Sequence, residues 1–128
     1  TSNKGAEDFE LLELVNGKKL YEEVIGKIAT WGTDENLMFV TGATQASHLG
    51  DLRKIIPNHF LLIPGVGKQG GDLKAISQVG MNDDIGILVN SSRAIIYAST
   101  DNDFAQAAAN EAKKVADEMK EIMSSRNS

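Results

Sequence analysis

The sequence has no cysteine, which excludes disulfide scaffolds, thiolate metal sites and cysteine nucleophiles. Its two histidines, His48 and His59, stand apart from any carboxylate cluster, which argues against zinc or another bound metal. Aromatics are sparse, with one Trp, two Tyr and four Phe, and acidic residues outnumber basic ones 18 to 13 for a net charge of −5. Nucleic-acid binders need a basic face, so no nucleic-acid partner is expected. No apolar run approaches the roughly 20 residues of a membrane span, so no membrane partner is expected either. The chain opens Thr1-Ser2-Asn3, without methionine and without a signal-peptide pattern, which suggests a processed protein or a piece of a longer one. What is present is enough for one ordinary domain: 128 residues, 41% hydrophobic and 24% charged.

Hydrophobic spacing predicts a helix over Lys18–Trp31, with Leu20, Val24, Ile28 and Trp31 on its inner face and Gly32 ending it. Leu37-Met38-Phe39-Val40-Thr41 is a continuous apolar run too short for a helix, as expected of a strand buried on both faces of a parallel sheet. After Gly42-Ala43-Thr44, a second helix over Gln45–Ile56 turns Leu49, Leu52 and Ile56 inward, and Pro57 stops it. The cycle repeats with a strand at Phe60–Ile63, a glycine-rich loop at Pro64–Gly71 and a short helix at Leu73–Val79. A third strand at Ile85–Val89 leads into the loop Asn90-Ser91-Ser92-Arg93. The last helix spans about Asp103–Met123, with Phe104, Ala108, Ala112, Val115, Met119 and Ile122 inward and Asp101, Asn102 and Asp103 at its start. Ser124–Ser128 reads as a frayed end.

Strands alternating with helices make an α/β architecture with a parallel sheet. A sheet of only three strands leaves two edges unpaired. A (β/α)₈ barrel takes about 250 residues, so one reading is a half-barrel. The other is a small flavodoxin-like sheet with one strand unrecognised.

Two loops could carry chemistry. Pro64-Gly65-Val66-Gly67-Lys68-Gln69-Gly70-Gly71-Asp72 lies between a strand and a helix, and its successive glycine N–H groups could wrap an oxyanion. The alternative is a turn that merely needs positive φ, but the loop's position at a strand's C-terminal end favours phosphate. Gly65-x-Gly67-x-x-Gly70 matches a dinucleotide fingerprint only superficially, because Pro64 abuts it and Asp83 and Asp84 precede the next strand rather than follow it. Gly67-Lys68 is like the end of a P-loop, but Gln69 stands where Ser or Thr should hold magnesium. The second loop, Asn90-Ser91-Ser92-Arg93, combines backbone N–H groups with a guanidinium, a strong pairing for phosphate. An isolated arginine there is usually a solvated charge. Phosphate-type loops on consecutive strands instead favour the second half of a barrel, where such sites commonly form.

These residues resemble the C-terminal half of the orotidine 5′-phosphate decarboxylases, in their longer bacterial subfamily. The resemblance rests on Thr1-Ser2-Asn3-Lys4-Gly5-Ala6, Leu20-Tyr21-Glu22 and Val40-Thr41-Gly42-Ala43-Thr44. It rests further on Phe60 through Gly71 and on Val89-Asn90-Ser91-Ser92-Arg93-Ala94-Ile95-Ile96-Tyr97-Ala98. The resemblance implies that residues 1–128 form a single C-terminal half-barrel of a cytoplasmic, dimeric (β/α)₈ enzyme. Such an enzyme converts orotidine monophosphate to uridine monophosphate and carbon dioxide without cofactor or metal. By resemblance, Gln69, Ser92 and Arg93 would hold the nucleotide phosphate, while Ser2 and Pro64 would meet the pyrimidine. Lys68 departs from the small residue usual in that loop.

The family's D-x-K-x-x-D motif, whose lysine and aspartates stabilise a carbanion-like state and deliver a proton, has no counterpart here. Asp72-Leu73-Lys74 looks like its start, but Ser77 stands at the last aspartate position and the segment follows the wrong loop. No catalytic residue is therefore expected within this chain, and alone it is expected to be inactive. A self-contained, non-catalytic phosphate-binding module is the rival reading. Another phosphate-binding barrel enzyme, such as a sugar-phosphate synthase, fits the loops but not Ser2 together with the Asn-Ser-Ser-Arg segment. An open half-barrel is further expected to associate as a two-fold dimer.

Overall fold

The computed structural model describes residues 5, 7–43, 46–66 and 72–126. The chain order is α1 (Glu7–Glu10), α2 (Leu20–Ala29), β1 (Phe39–Val40), α3 (Ala46–Ile55), β2 (Leu61–Pro64), α4 (Leu73–Gly80), β3 (Ile87–Asn90), α5 (Arg93–Ile96) and α6 (Phe104–Arg126). The strands form a parallel sheet in the order β1-β2-β3, each joined to the next through a helix. No further strand occurs among the described residues, so the flavodoxin-like reading lacks its extra strand. The result is a partial barrel.

Local chemistry sets the helix starts. Asp72 caps α4, its carboxylate accepting from the Lys74 and Ala75 N–H groups at 2.9 and 3.2 Å. At α2, Glu22 reaches back to accept from the Lys19 N–H at 2.7 Å. The Asp103 carboxylate accepts from the Ser99 hydroxyl, while its carbonyl receives the Ala107 N–H of α6.

The two faces of the sheet differ. In register, Phe39, Leu61 and Ile87 lie on one line, and Val40, Leu62 and Leu88 on the next. Leu61 and Ile63 are fully buried, as are Leu49 and Ile56 of the α3 layer and Ile76 of α4. On the other face Val40 is 70% exposed, Leu88 54% and Met38 52%. The expectation of strands buried on both faces is therefore corrected: α3 and α4 cover one side, and no described element covers the other. An apolar run records that both faces suit burial; it does not supply the second cover.

Two more expectations change. In α2 the inward stripe is Tyr21, Ile25 and Ile28, while Val24 and Trp31 are exposed. The residues one position on satisfy the same 3.6-residue period, and the turn beginning at Thr30 carries Trp31 off the helix. In α6 Val115, Met119, Ile122 and Met123 pack on the core, but Phe104 at its first turn is exposed. The helix continues through Ser124 and Ser125 to Arg126, where fraying was expected; both serine hydroxyls bond back to carbonyls of the preceding turn. Residues 127 and 128 lie outside the described residues.

Grooves flank both free edges of the sheet. One of about 660 Å³ lies between β3 and α6, lined by Leu88, Val115 and Met119 among others. One of about 270 Å³ lies beside β1, lined by Tyr21, Val24, Val40 and Leu52 among others. No helix among the described residues is long and apolar enough to cross a membrane.

Candidate functional site

Parallel strands place all their C-terminal ends on one rim, and the loops that follow them meet there. β2 ends at Pro64, directly in register with Asn90 at the end of β3. Backbone bonds extend the ladder past the strands: the Ala43 N–H donates to the Pro64 carbonyl at 3.2 Å, and the Gly65 N–H to the Asn90 carbonyl at 3.1 Å. Gly65 has φ +88°, a conformation that side-chain-bearing residues rarely adopt, and it turns the chain away from the sheet.

After β3 the chain enters α5, with Arg93 its first residue. The expectation that this arginine opens a helical turn holds. The Ile95 and Ile96 N–H groups both donate to the Ser92 carbonyl, at 3.1 and 2.9 Å. The Arg93 and Ala94 N–H groups precede the first completed bond and have no partner among the described residues. Ser92 does not cap α5; its hydroxyl instead donates to Asn90 Oδ1 at 2.8 Å. Arg93 is exposed and makes no ion pair among the described residues. This rim thus offers a cation and free backbone donors, the chemistry of an oxyanion site.

Of the residues singled out from the sequence, Pro64, Ser92 and Arg93 come together on this rim. Ser2, Lys68 and Gln69 lie outside the described residues. Asp72, the start of the motif-like segment Asp72-Leu73-Lys74, is the α4 cap, which accounts for its carboxylate without chemistry.

The opposite rim is structural. Arg53 near the end of α3 donates to the Gly80 carbonyl at 2.6 Å, His59 at 2.6 Å, Gly86 at 2.7 Å and Ile56 at 3.1 Å. One planar guanidinium thereby joins the end of α3, the turn before β2, the end of α4 and the start of β3. Burial pushes its pKa below the usual arginine value, though it stays charged. Nothing in the sequence distinguishes Arg53 from a solvated helix charge; the signal is tertiary. Asn82 closes the same rim, its side-chain amide donating to the Pro57 carbonyl at 3.0 Å.

No family model matches the chain. It is 54% identical over 123 residues to an orotidine 5′-phosphate decarboxylase of Phocaeicola vulgatus, an alignment covering 96% of this chain and 45% of that protein. It is also 54% identical over 126 residues to the decarboxylase of that name from Flavobacterium johnsoniae, covering 98% of this chain and 46% of the relative. Among solved structures, Leishmania donovani OMP decarboxylase superposes with a TM-score of 0.71 at 30% identity, covering 91% of this chain and 44% of that one. Leishmania donovani UMP synthase gives 0.71 at 35% identity, covering 91% of this chain and 26% of that one. The chain is therefore homologous to one part of these decarboxylases, and it spans less than half the length of the curated relatives it matches.

Proposed function

We propose that this chain supplies the nucleotide-binding half of an orotidine 5′-phosphate decarboxylase, the part that grips the phosphate and meets the base. The observation that carries this reading is the convergence of Pro64, Ser92 and Arg93 on one rim, at the ends of hydrogen-bonded strands. The Arg93 guanidinium pairs with the phosphate, and the N–H groups of Arg93 and Ala94 add donors beside it. Gln69 contributes its amide from the preceding loop, Ser92 its backbone, Pro64 an apolar contact to the pyrimidine and Ser2 a hydrogen bond to its edge. Binding at this end holds the substrate while residues outside this chain remove its carboxylate as carbon dioxide and deliver a proton to the ring. The reading calls for no cofactor and no metal, and it places the enzyme in the cytoplasm. The chain alone has no lysine–aspartate motif and does not turn over orotidine monophosphate.

The open sheet face weighs against a phosphate module complete in itself, because Val40, Leu88 and Met38 stand exposed together. In isolation a second copy covers this face in a two-fold dimer. Static light scattering checks this: a mass near 28 kDa is expected, twice the 13.8 kDa chain, and a strictly monomeric species would contradict it.

The binding reading is tested by calorimetry with uridine monophosphate on the wild type and on Arg93→Ala. A weak but measurable affinity that falls about tenfold or more in the variant is expected, since a charge-assisted phosphate contact is lost. Equal affinities would sink the reading. Turnover of orotidine monophosphate by the purified chain above a protein-free control would refute its inactivity.

A further inference from the structure

The hairpin that leads into α2 carries a reactive pair of residues. Asn16 is the only asparagine in the sequence that is followed by glycine. Gly17 has no side chain, so its backbone nitrogen is the least hindered nucleophile a following residue can offer to the Asn16 amide. The turn has the form these residues favour. The Gly17 N–H donates to the Leu14 carbonyl at 2.8 Å, the Leu14 N–H donates to the Lys18 carbonyl at 2.8 Å, and Gly17 takes φ +78°. Glu13 and Lys19 pair across the two arms, and the Leu20 N–H donates to the Leu12 carbonyl at 2.8 Å. At the tip Asn16 Oδ1 accepts from the Lys18 N–H at 3.1 Å. Val15, Asn16 and Gly17 are all exposed, so water reaches the tip.

We propose that Asn16 is a site of spontaneous deamidation whose rate is set by opening of this hairpin. The Gly17 nitrogen, once it gives its proton to a solvent base, attacks Asn16 Cγ. A C–N bond forms, the Cγ–Nδ2 bond breaks and the side-chain nitrogen leaves as ammonia. Water then opens the cyclic imide at either of its carbonyls, giving aspartate or isoaspartate, so water is the only reagent consumed. In the closed hairpin both partners are engaged: the Gly17 proton by the Leu14 carbonyl and the Asn16 oxygen by the Lys18 N–H. Reaction therefore proceeds from the open tip. A few bonds between exposed or half-buried residues hold that tip, so it opens without unfolding the core. The two products differ in the backbone. Aspartate leaves the chain as it was. Isoaspartate routes it through Cβ and lengthens the turn by a methylene, so Leu14 and Lys18 no longer meet in register. The proposal does not depend on the nucleotide reading.

The test is peptide mass spectrometry on the whole chain kept at mildly alkaline pH, folded and in urea. Cleavage after Lys4 and Lys18 releases Asn16 in a peptide with no other asparagine. In the folded chain that peptide should be the first to show the mass shift from amide to acid, as two separable products with isoaspartate the larger. In urea the conversion should run about five- to thirtyfold faster, as the loss of one or two hydrogen bonds allows. Asn16→Gln should abolish the shift in both conditions, because the longer side chain closes an imide ring far less readily. Hydrogen exchange at Leu14 and Gly17 should be faster in the isoaspartyl fraction and close to wild type in Asn16→Asp. No conversion of Asn16 in the folded chain, or another asparagine converting first, would overturn the site. Equal rates with and without urea would overturn its control by the hairpin. An isoaspartyl fraction with wild-type exchange at Leu14 would overturn the lengthened turn.

Discussion

The two faces of the three-stranded sheet carry the same kinds of side chain and meet different fates. On the helix-covered face Leu61 and Ile63 are fully buried beneath α3 and α4. On the other face Val40 and Leu88, on the two edge strands, are more than half exposed although they are equally apolar. Strand chemistry is set by what a residue will tolerate, while burial is set by what the chain places opposite it. Among the described residues the chain provides helices for one face and none for the other. The grooves along β1 and β3 repeat the point at the edges, where no described strand pairs with the backbone.

The comparison can be broken most easily on the covered face. Leu61→Ala should cost about 3 kcal/mol in chemical denaturation, because the site is enclosed and cannot collapse fully. A loss under about 1 kcal/mol there would mean that the covered face is not a packed core. Second in size is Arg53→Leu, which leaves several carbonyls without their donor and should cost about 2 kcal/mol. Its signature is uneven: the ends of α3 and α4 and the start of β3 should exchange faster, while the rim bearing Arg93 should not.

A smaller effect concerns Tyr21, buried on α2 beside His48, with ring centroids 5.7 Å apart. Burial, and to a lesser degree Glu22 and Asp51, raises its phenol pKa above the usual tyrosine value. The folded state therefore holds the phenolic proton more tightly than the unfolded chain. The resulting stability is fully present below the unfolded pKa, about 10, and is lost as pH rises through the higher folded value. Tyr21→Phe should remove that alkaline slope while leaving neutral-pH behaviour near wild type; a slope that persists would point to another group.

The smallest expected effect is the most telling for the comparison. Leu88→Ser and Val40→Thr should change the stability of the monomeric chain by no more than about 0.5 kcal/mol, since these side chains are already in water. They should also weaken self-association in light scattering. A loss as large as that of Leu61→Ala would show that the second face is covered after all.

Much of this organisation is legible in the sequence. The order of strands and helices, the inward turn of Leu49, Leu52 and Ile56, and the helical turn opened by Arg93 follow from spacing and from glycine and proline punctuation. The register of α2 does not, because apolar residues stand on neighbouring stripes and only packing against α3 and the core chooses Tyr21, Ile25 and Ile28. The open sheet face follows from the half-barrel reading, but the Arg53 clamp could not be read, since it depends on what lies across space. Of the candidate site, Pro64, Ser92 and Arg93 are marked by their loops in the sequence, and the strand register places them on one rim.

The central claim is that this rim recognises a nucleotide through its phosphate. Parallel calorimetric titrations with uridine monophosphate and with uridine test it most directly. The account predicts measurable binding of the monophosphate and none of the nucleoside, with the difference shrinking as salt screens the arginine. Equal binding of both, or of neither, would contradict it.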